Sequence, residues 1–336
     1  MSETTTGPGP AAACAAPGGP PEPRRVLLLA HTGRDDAREV ARGFVKSLSG
    51  HGILVRLLAG EAADLGLRPE EFDPPLELAE TETGAGHDCE LALVIGGDGT
   101  ILRAAEITHD SGGTPVLGVN LGHVGFLAEA EYDDIDSTIE AIVDCRYTAE
   151  ERMTLDVSVH RDGDVVFRTF ALNEASVEKA ARQRMLEVVV EIDGRPLSRW
   201  GCDGVVCATP TGSTAYNFSA GGPIVWPEVE ALLMVPISAH ALFARPMVVA
   251  PTSVLAIEVL ARTEGAGVLW CDGRRAVDLP PGARIEVRRG PRPIRLVRLH
   301  AAPFTDRLVA KFGLPVEGWR GSSERRRRLA AEGLDA

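Results

Sequence analysis

One junction constrains this chain more than any other: five consecutive apolar residues, Leu91-Ala92-Leu93-Val94-Ile95, run straight into Gly96-Gly97-Asp98-Gly99-Thr100. An unbroken apolar run of this length suits a strand buried on both faces of a parallel sheet. Ile101, Leu102, Ala104, Ala105 and Ile107 then recur with helical spacing. A strand–glycine loop–helix unit places a ligand at the carboxyl end of the sheet, against unpaired N–H groups and the positive end of the helix dipole. The glycines let the backbone approach a phosphate closely. Asp98 does not fit a passive cradle, because a carboxylate there repels the ligand. Two roles suit it: accepting the proton of an attacking hydroxyl, or contacting a metal-bound phosphate. The alternative is a tight turn in which Asp98 bonds its own backbone. A dinucleotide fingerprint matches poorly, since its third glycine position holds Leu102.

The flanks predict the fold around that junction. Val26–Ala30, Ile53–Leu58 and Pro115–Val119 read as further strands. A helix is predicted from Asp35, with Ala37, Val40, Ala41, Phe44, Val45 and Leu48 on one face, and another over Tyr132–Cys145. Gly60–Gly86 reads as an acidic loop holding at most a short helix. This β–α order predicts an open α/β domain with a right-handed crossover. After Met153 the period changes to two. Thr154–His160 and Val165–Ala171 flank a hairpin turn, and Met185–Ile192 ends at Asp193-Gly194. Val254–Leu260, Gly267–Cys271, Arg284–Arg288 and Ile294–Leu299 continue as short strands, so the second domain is predicted β-rich. Thr305–Phe312 reads as helix. Residues 1–23 are too poor in bulky apolar groups to offset their ordering entropy and read as a disordered tail. Arg325–Arg328 read as a solvated basic end.

Composition excludes several functions. A net charge of −13 argues against a nucleic-acid surface or a polybasic membrane anchor. No 18-residue apolar run or secretory leader occurs, so no membrane partner is expected. Six scattered cysteines without a C-x-x-C pair argue against zinc ribbons and for a reduced, cytoplasmic chain. Only Lys46, Lys179 and Lys311 are lysines, and none follows glycine, which excludes a Walker P-loop. Cationic help with phosphate must come from arginine, a metal or backbone N–H groups.

Two more segments carry chemistry. Thr209-Pro210-Thr211-Gly212-Ser213-Thr214-Ala215-Tyr216-Asn217-Phe218-Ser219-Ala220-Gly221-Gly222-Pro223, six residues beyond Asp203-Gly204, is dense in hydroxyls and small residues. It suits sugar hydroxyls and phosphate oxygens, with Tyr216 as a flat face for a base, or it is an ordinary Ser/Thr-rich loop. Asn173-Glu174 follows a predicted strand, with Lys179, Arg182 and Arg184 nearby. It reads as a polar binding pair or as surface decoration.

Together these segments resemble the NAD kinase family, from about Arg25 to Trp319, within the superfamily shared with diacylglycerol kinases and phosphofructokinases. Gly96-Gly97-Asp98-Gly99 alone marks only the superfamily; the Thr209–Pro223 segment is the specific one. Gly118–Leu127 and Pro236–Pro246 also look like family segments. The resemblance implies an α/β domain over residues 24–147 and 300–320, to which the C-terminal helix returns. It implies a β-sandwich NAD-binding domain over 148–299, with 321–336 a flexible basic tail. It implies transfer of the γ-phosphoryl group of ATP to the adenosine ribose 2′-hydroxyl of NAD, with a divalent cation such as Mg²⁺, in a homodimer or homotetramer. Carried over, Asp98 is the proton acceptor, and Gly99, Arg103, Asn173, Glu174, Arg184, Asp203 and Thr214, Ala215, Tyr216, Asn217, Phe218 and Ser219 are NAD contacts. Gly97, Gly99 and Thr100 are expected to hold ATP phosphates. Arg274 departs from the glutamine common at its position. A lipid or sugar kinase of the same superfamily, and a non-catalytic dinucleotide sensor, stay open as alternatives.

Overall fold

The computed structural model describes residues 23–122, 125–130, 135–181, 185–261, 266–300 and 303–316. The first sheet is built from apolar runs, β1 (Arg25–Ala30), β2 (Leu54–Leu58), the short β3 (Glu77–Ala79), β4 (Leu91–Ile95) and β5 (Val116–Val119). They pair parallel in the order β3-β2-β1-β4-β5. Four helices, α1 (Asp35–Gly50), α2 (Ala59–Leu65), α3 (Asp98–Asp110) and α4 (Ile135–Val143), accompany it. The strands bury both faces, which is why their apolar runs are unbroken. Val26, Leu28 and Leu93 pack with Val40, Phe44 and Leu48 of α1. Leu27, Leu29, Ala92 and Val94 pack on the other side with Ile101, Ala104 and Ala105 of α3.

After β6 (Thr148–Arg152), the second domain comprises β7 (Leu155–Arg161), β8 (Asp164–Ala171), β9 (Glu174–Lys179), β10 (Leu186–Ile192), β11 (Arg195–Cys202), β12 (Gly204–Ala208), the one-turn α5 (Tyr216–Ser219), β13 (Leu232–Ile237), β14 (Met247–Val249), β15 (Leu255–Val259), β16 (Gly267–Cys271), β17 (Arg275–Leu279) and β18 (Arg284–Arg289). β19 (Ile294–Arg298) and α6 (Phe304–Phe312) close the described chain. Two six-stranded sheets, β11-β10-β15-β18-β7-β8 and β14-β13-β12-β9-β16-β17, are antiparallel throughout. They share one core that includes Val157, Val188, Trp200, Val205, Met234 and Ile257. This is a β-sandwich.

Two strands depart from the predicted layout. β6 and β19 extend the first sheet, β19 lying parallel to β5 and β6 antiparallel to β19. Ile294, Leu296 and Val297 are buried there, so their apolar content serves the α/β core and not the sandwich. β3 falls in the stretch expected to be loop. It has only three residues, and Glu77 is held by Arg25 and Arg56, contacts that no local pattern announces. The chain's return is electrostatic as well as apolar. Glu129, almost wholly buried, accepts bonds from Arg298 at 2.9 Å and from Arg307 of α6 at 2.5 Å. Cys89, Cys202, Cys207 and Cys271 are buried and free, as a reduced chain requires. Cys145 is disulfide-bonded, which departs from that expectation. The expected N-terminal tail, Tyr132 and the Arg325–Arg328 end lie outside the described residues.

Candidate active site

Asp98 is the first residue of α3, directly after the end of β4 and Gly97. Its carboxylate does not bond its own turn. It accepts the N–H of Phe126 at 3.2 Å and that of Leu127 at 3.3 Å. Gly125 makes this possible: a Cβ there would stand 2.4 Å from Asp98 Oδ1. The helix start leaves the N–H groups of Asp98 and Gly99 without an intrahelical acceptor. Thr100 differs, since its N–H donates to the Gly97 carbonyl at 2.9 Å and is already committed. A side chain at Gly97 or Gly99 would meet nothing within 4 Å, so the space above the loop is open.

Asn173 and Glu174 stand where β8 passes into β9, and both are buried. Asp272, in the β16–β17 turn, holds this corner. It accepts the N–H groups of Leu172 at 2.9 Å, Asn173 at 2.7 Å and Glu174 at 3.3 Å, and pairs with Arg275 at 2.7 Å. Burial, with the charge of Asp272 beside it, pushes the Glu174 carboxyl up to about 8. Glu174 is therefore a neutral acid at pH 7, able to donate as well as accept. Its Oε2 also accepts the Tyr216 N–H at 3.3 Å, which ties the hydroxyl-rich segment to the pair. Thr209 bonds the carbonyl of Leu172 at 2.6 Å, and Gly212 packs so closely that a Cβ would stand 2.0 Å from the Asn173 carbonyl oxygen.

The two domains meet at α6. Phe126 faces Phe304 and Phe312 with centroids 6.2 Å and 5.8 Å away. Phe312 in turn lies 4.8 Å from Phe218, and Trp226 lies 5.3 Å from Phe304. Phe126 and Leu127, the residues whose N–H groups hold Asp98, line one small cavity of about 30 Å³ with Thr211, Thr214 and Arg307. Phe126 and Leu127 thus link Asp98 to the Thr211–Thr214 wall of this cavity, and Tyr216 links the same segment to the Asn173–Glu174 pair.

Other expected residues sit differently. Arg103 lies about 140° round α3 from Asp98. Its guanidinium bonds Glu61 and Glu82, each at 2.6 Å, compensating the buried Glu61 carboxylate. Asp203 pairs with Lys179 at the far end of β9, roughly 17 Å along the strand from Glu174. Asn217 is fully buried, and its amide donates to the carbonyls of Ser213 and Pro223, bracing the loop. Phe218 and Ser219 are exposed, and Ala215 donates to the Gly212 carbonyl. Arg184 lies outside the described residues. The sequence reading missed Gly125, Phe126 and Asp272 as site-forming groups. Asp272-Gly273 after a strand was the available signal for the last, since a positive φ of 52° at Asp272 marks a tight turn.

A fixed carboxylate beside open helix N–H groups, linked through Phe126 and Leu127 to a hydroxyl-rich segment and a buried polar pair, suits a phosphotransferase acting on a small hydroxylated acceptor. The comparisons with known proteins agree. Residues 26–147 match the ATP-NAD kinase N-terminal domain and residues 172–299 the ATP-NAD kinase C-terminal domain. NAD kinase 2 of Streptomyces avermitilis is 63% identical over 300 residues, covering 89% of this chain and 97% of that protein. NAD kinase of Thermobifida fusca is 60% identical over 307 residues, covering 90% and 93%. Yeast NADH kinase, solved with NADH, superimposes with a TM-score of 0.78 at 27% identity, covering 88% of this chain and 89% of that one. An Archaeoglobus fulgidus NAD kinase solved with ATP gives a TM-score of 0.61 at 25% identity, covering 86% and 98%. The chain belongs to the NAD kinase family and is an ATP-dependent phosphotransferase that converts NAD to NADP.

Proposed function

We propose that Asp98 is the proton acceptor of this transfer. The adenosine ribose 2′-hydroxyl of NAD attacks the γ-phosphorus of ATP, the new O–P bond forms as the bond to the β-phosphate oxygen breaks, ADP leaves, and the hydroxyl proton passes to Asp98. The observation that carries the reading is the Asp98 carboxylate, pinned by the Phe126 and Leu127 N–H groups at the mouth of an open helix N-terminus. Two bonds from fixed backbone remove rotamer freedom, so no reorganisation is required when the hydroxyl arrives. The open N–H groups of Asp98 and Gly99, with Gly97 beside them, receive phosphate oxygens. Thr100 contributes little through its N–H, which is committed to Gly97.

Asn173 and neutral Glu174 bind the ribose of NAD, and Thr214, Tyr216, Phe218 and Ser219 flank its adenosine. Arg103 acts through the structure, by holding Glu61 and Glu82 behind α3, and Asn217 by holding the segment in shape. Among the described residues no group of three or more His, Cys, Asp or Glu side chains could hold a metal. The divalent cation is proposed to arrive as Mg²⁺–ATP, as part of the substrate. Asp203 supports β9 through its pair with Lys179, and the assembly is proposed to be a homodimer or homotetramer on the family resemblance. No described helix is long and apolar enough to cross a membrane. A cytoplasmic location is proposed on the scattered, unpaired spacing of the cysteines in the sequence.

The test is a coupled assay with purified protein, Mg²⁺, ATP and NAD, in which NADP is detected by an NADP-specific dehydrogenase. NADP formation that requires both substrates supports the reading; ATP hydrolysis or NAD binding with no NADP would refute it.

A further inference from the structure

Helix α3 starts at Asp98 and carries Glu106 eight residues on, about 12 Å along its axis. Glu106 belongs to the first domain, but its partners belong to the second. Its Oε1 accepts Arg274 Nε at 3.0 Å and forms an ion pair with Arg275 Nε at 3.2 Å. Arg275 uses the rest of its guanidinium on the sandwich. Nη2 donates to Asp272 at 2.7 Å, Nη1 to Thr169 Oγ1 at 3.1 Å, and the group stacks 4.4 Å above the Phe170 ring. Asp272 is the carboxylate that gathers the N–H groups of Leu172, Asn173 and Glu174. One continuous charged path therefore joins the helix that begins at Asp98 to the backbone of the Asn173–Glu174 pair.

Apolar packing joins the domains too: Phe170 and Leu172 share a buried cluster with Ile101, Ala104 and Ala105 of α3, and His109 of α3 stacks on Phe170 at 3.8 Å. A cavity of about 600 Å³ opens between the domains beside the path, with Glu106, His109, Phe170 and Arg275 in its walls. The apolar contact is non-directional, and beside the cavity the finer spacing of the domains is set by the charged groups that bridge them. A planar guanidinium with donors on several edges is suited to that task in a way that a lysine point charge is not. The charges are also well enclosed: the Arg275, Glu106 and Asp272 side chains are 22%, 19% and 2% exposed, so solvent screens the path weakly.

We propose that Arg275, anchored by Glu106, is a positioning residue for phosphoryl transfer. It sets the distance between the Asp98 end of α3 and the Asn173–Glu174 corner, and so aligns the acceptor hydroxyl held by one domain with the base held by the other. The proposal rests on the transfer reaction assigned above. Failure of that reading shows as a wild type without NADP formation. Failure of this one leaves the wild type active.

Arg275→Lys, Glu106→Gln and the double variant are assayed in the full chain, with folded fraction checked by thermal melting. Arg275→Lys is expected to lower kcat by about ten- to a hundredfold, since a shift of about 1 Å costs up to that much. KM for NAD should change by less than about threefold, because the NAD contacts themselves survive. Glu106→Gln should lower kcat in the same sense, and the double variant should be no slower than Arg275→Lys, as expected for two residues in one path. Full kcat per folded molecule in Glu106→Gln would overturn the proposal. So would a rise in KM at unchanged kcat, which marks a binding role, or kcat losses that multiply in the double variant. If Arg275→Lys does not fold, Glu106→Gln alone decides, by its kcat.

Discussion

The two halves of the cleft are fixed by opposite means. On the α/β side, Asp98 is placed by backbone: a strand end, a helix start and the N–H groups of Phe126 and Leu127. Among the described residues, its carboxylate is held by that loop's N–H groups, and open space lies over Gly97 and Gly99. On the sandwich side, Asn173 and Glu174 are locked in a buried lattice of Asp272, Thr209, Gly212 and Tyr216. The side that must handle a mobile phosphate is open. The side that must recognise a rigid ribose is packed. Substitutions should therefore fail differently: by stability on the sandwich side, by turnover on the loop side.

The sharpest break is the same glycine-to-alanine change made on each side. Gly212→Ala pushes a methyl into the Asn173 carbonyl and should cost about 3 kcal/mol, the upper part of the overpacking range, read by urea or thermal unfolding. Gly125→Ala presses instead on the Asp98 carboxylate. It should lower kcat about tenfold or more through misplacement while stability moves by less than about 1 kcal/mol. Equal stability losses in both would erase the contrast. Glu174→Gln probes the lattice by pH. The folded Glu174 carboxyl titrates near 8, above its ordinary value of 4.5, so the folded state holds a proton that the unfolded state releases. Its contribution is fully present below the ordinary value and is lost as pH rises through about 8. Melting curves at stepped pH should show the wild type losing stability relative to Glu174→Gln across that window. The smallest effect is expected at Asp203, whose pair with Lys179 is partly exposed. Asp203→Asn should shift unfolding free energy by no more than about 1 kcal/mol, measurable in the same melts.

What could be read in the sequence follows the same division. The Asp98 loop was legible because the strand, the glycines and the helix are contiguous, and local pattern fixes all three. The sandwich was legible as a class from its period-two strands. Its lattice was not, because Asp272 meets Leu172 and Asn173 about a hundred residues away in sequence. β19 was read into the wrong sheet for the same reason: an isolated apolar strand does not state which neighbour it pairs with. Arg103 was carried over as a NAD contact from the family resemblance; its bonds to Glu61 and Glu82 join residues 42 and 21 positions away, which no local pattern announces. Gly125 carries no sign of its role. Its need for a missing Cβ appears only when Asp98 is folded against it.

The most direct measurement is the turnover and NAD affinity of Asp98→Asn, which keeps the shape of the side chain and removes its basicity. Removal of a positioned base should lower kcat by about 10²–10⁴-fold, with NAD binding, followed by calorimetry, essentially unchanged. Near-normal turnover in that variant would contradict the assignment of Asp98 as the proton acceptor.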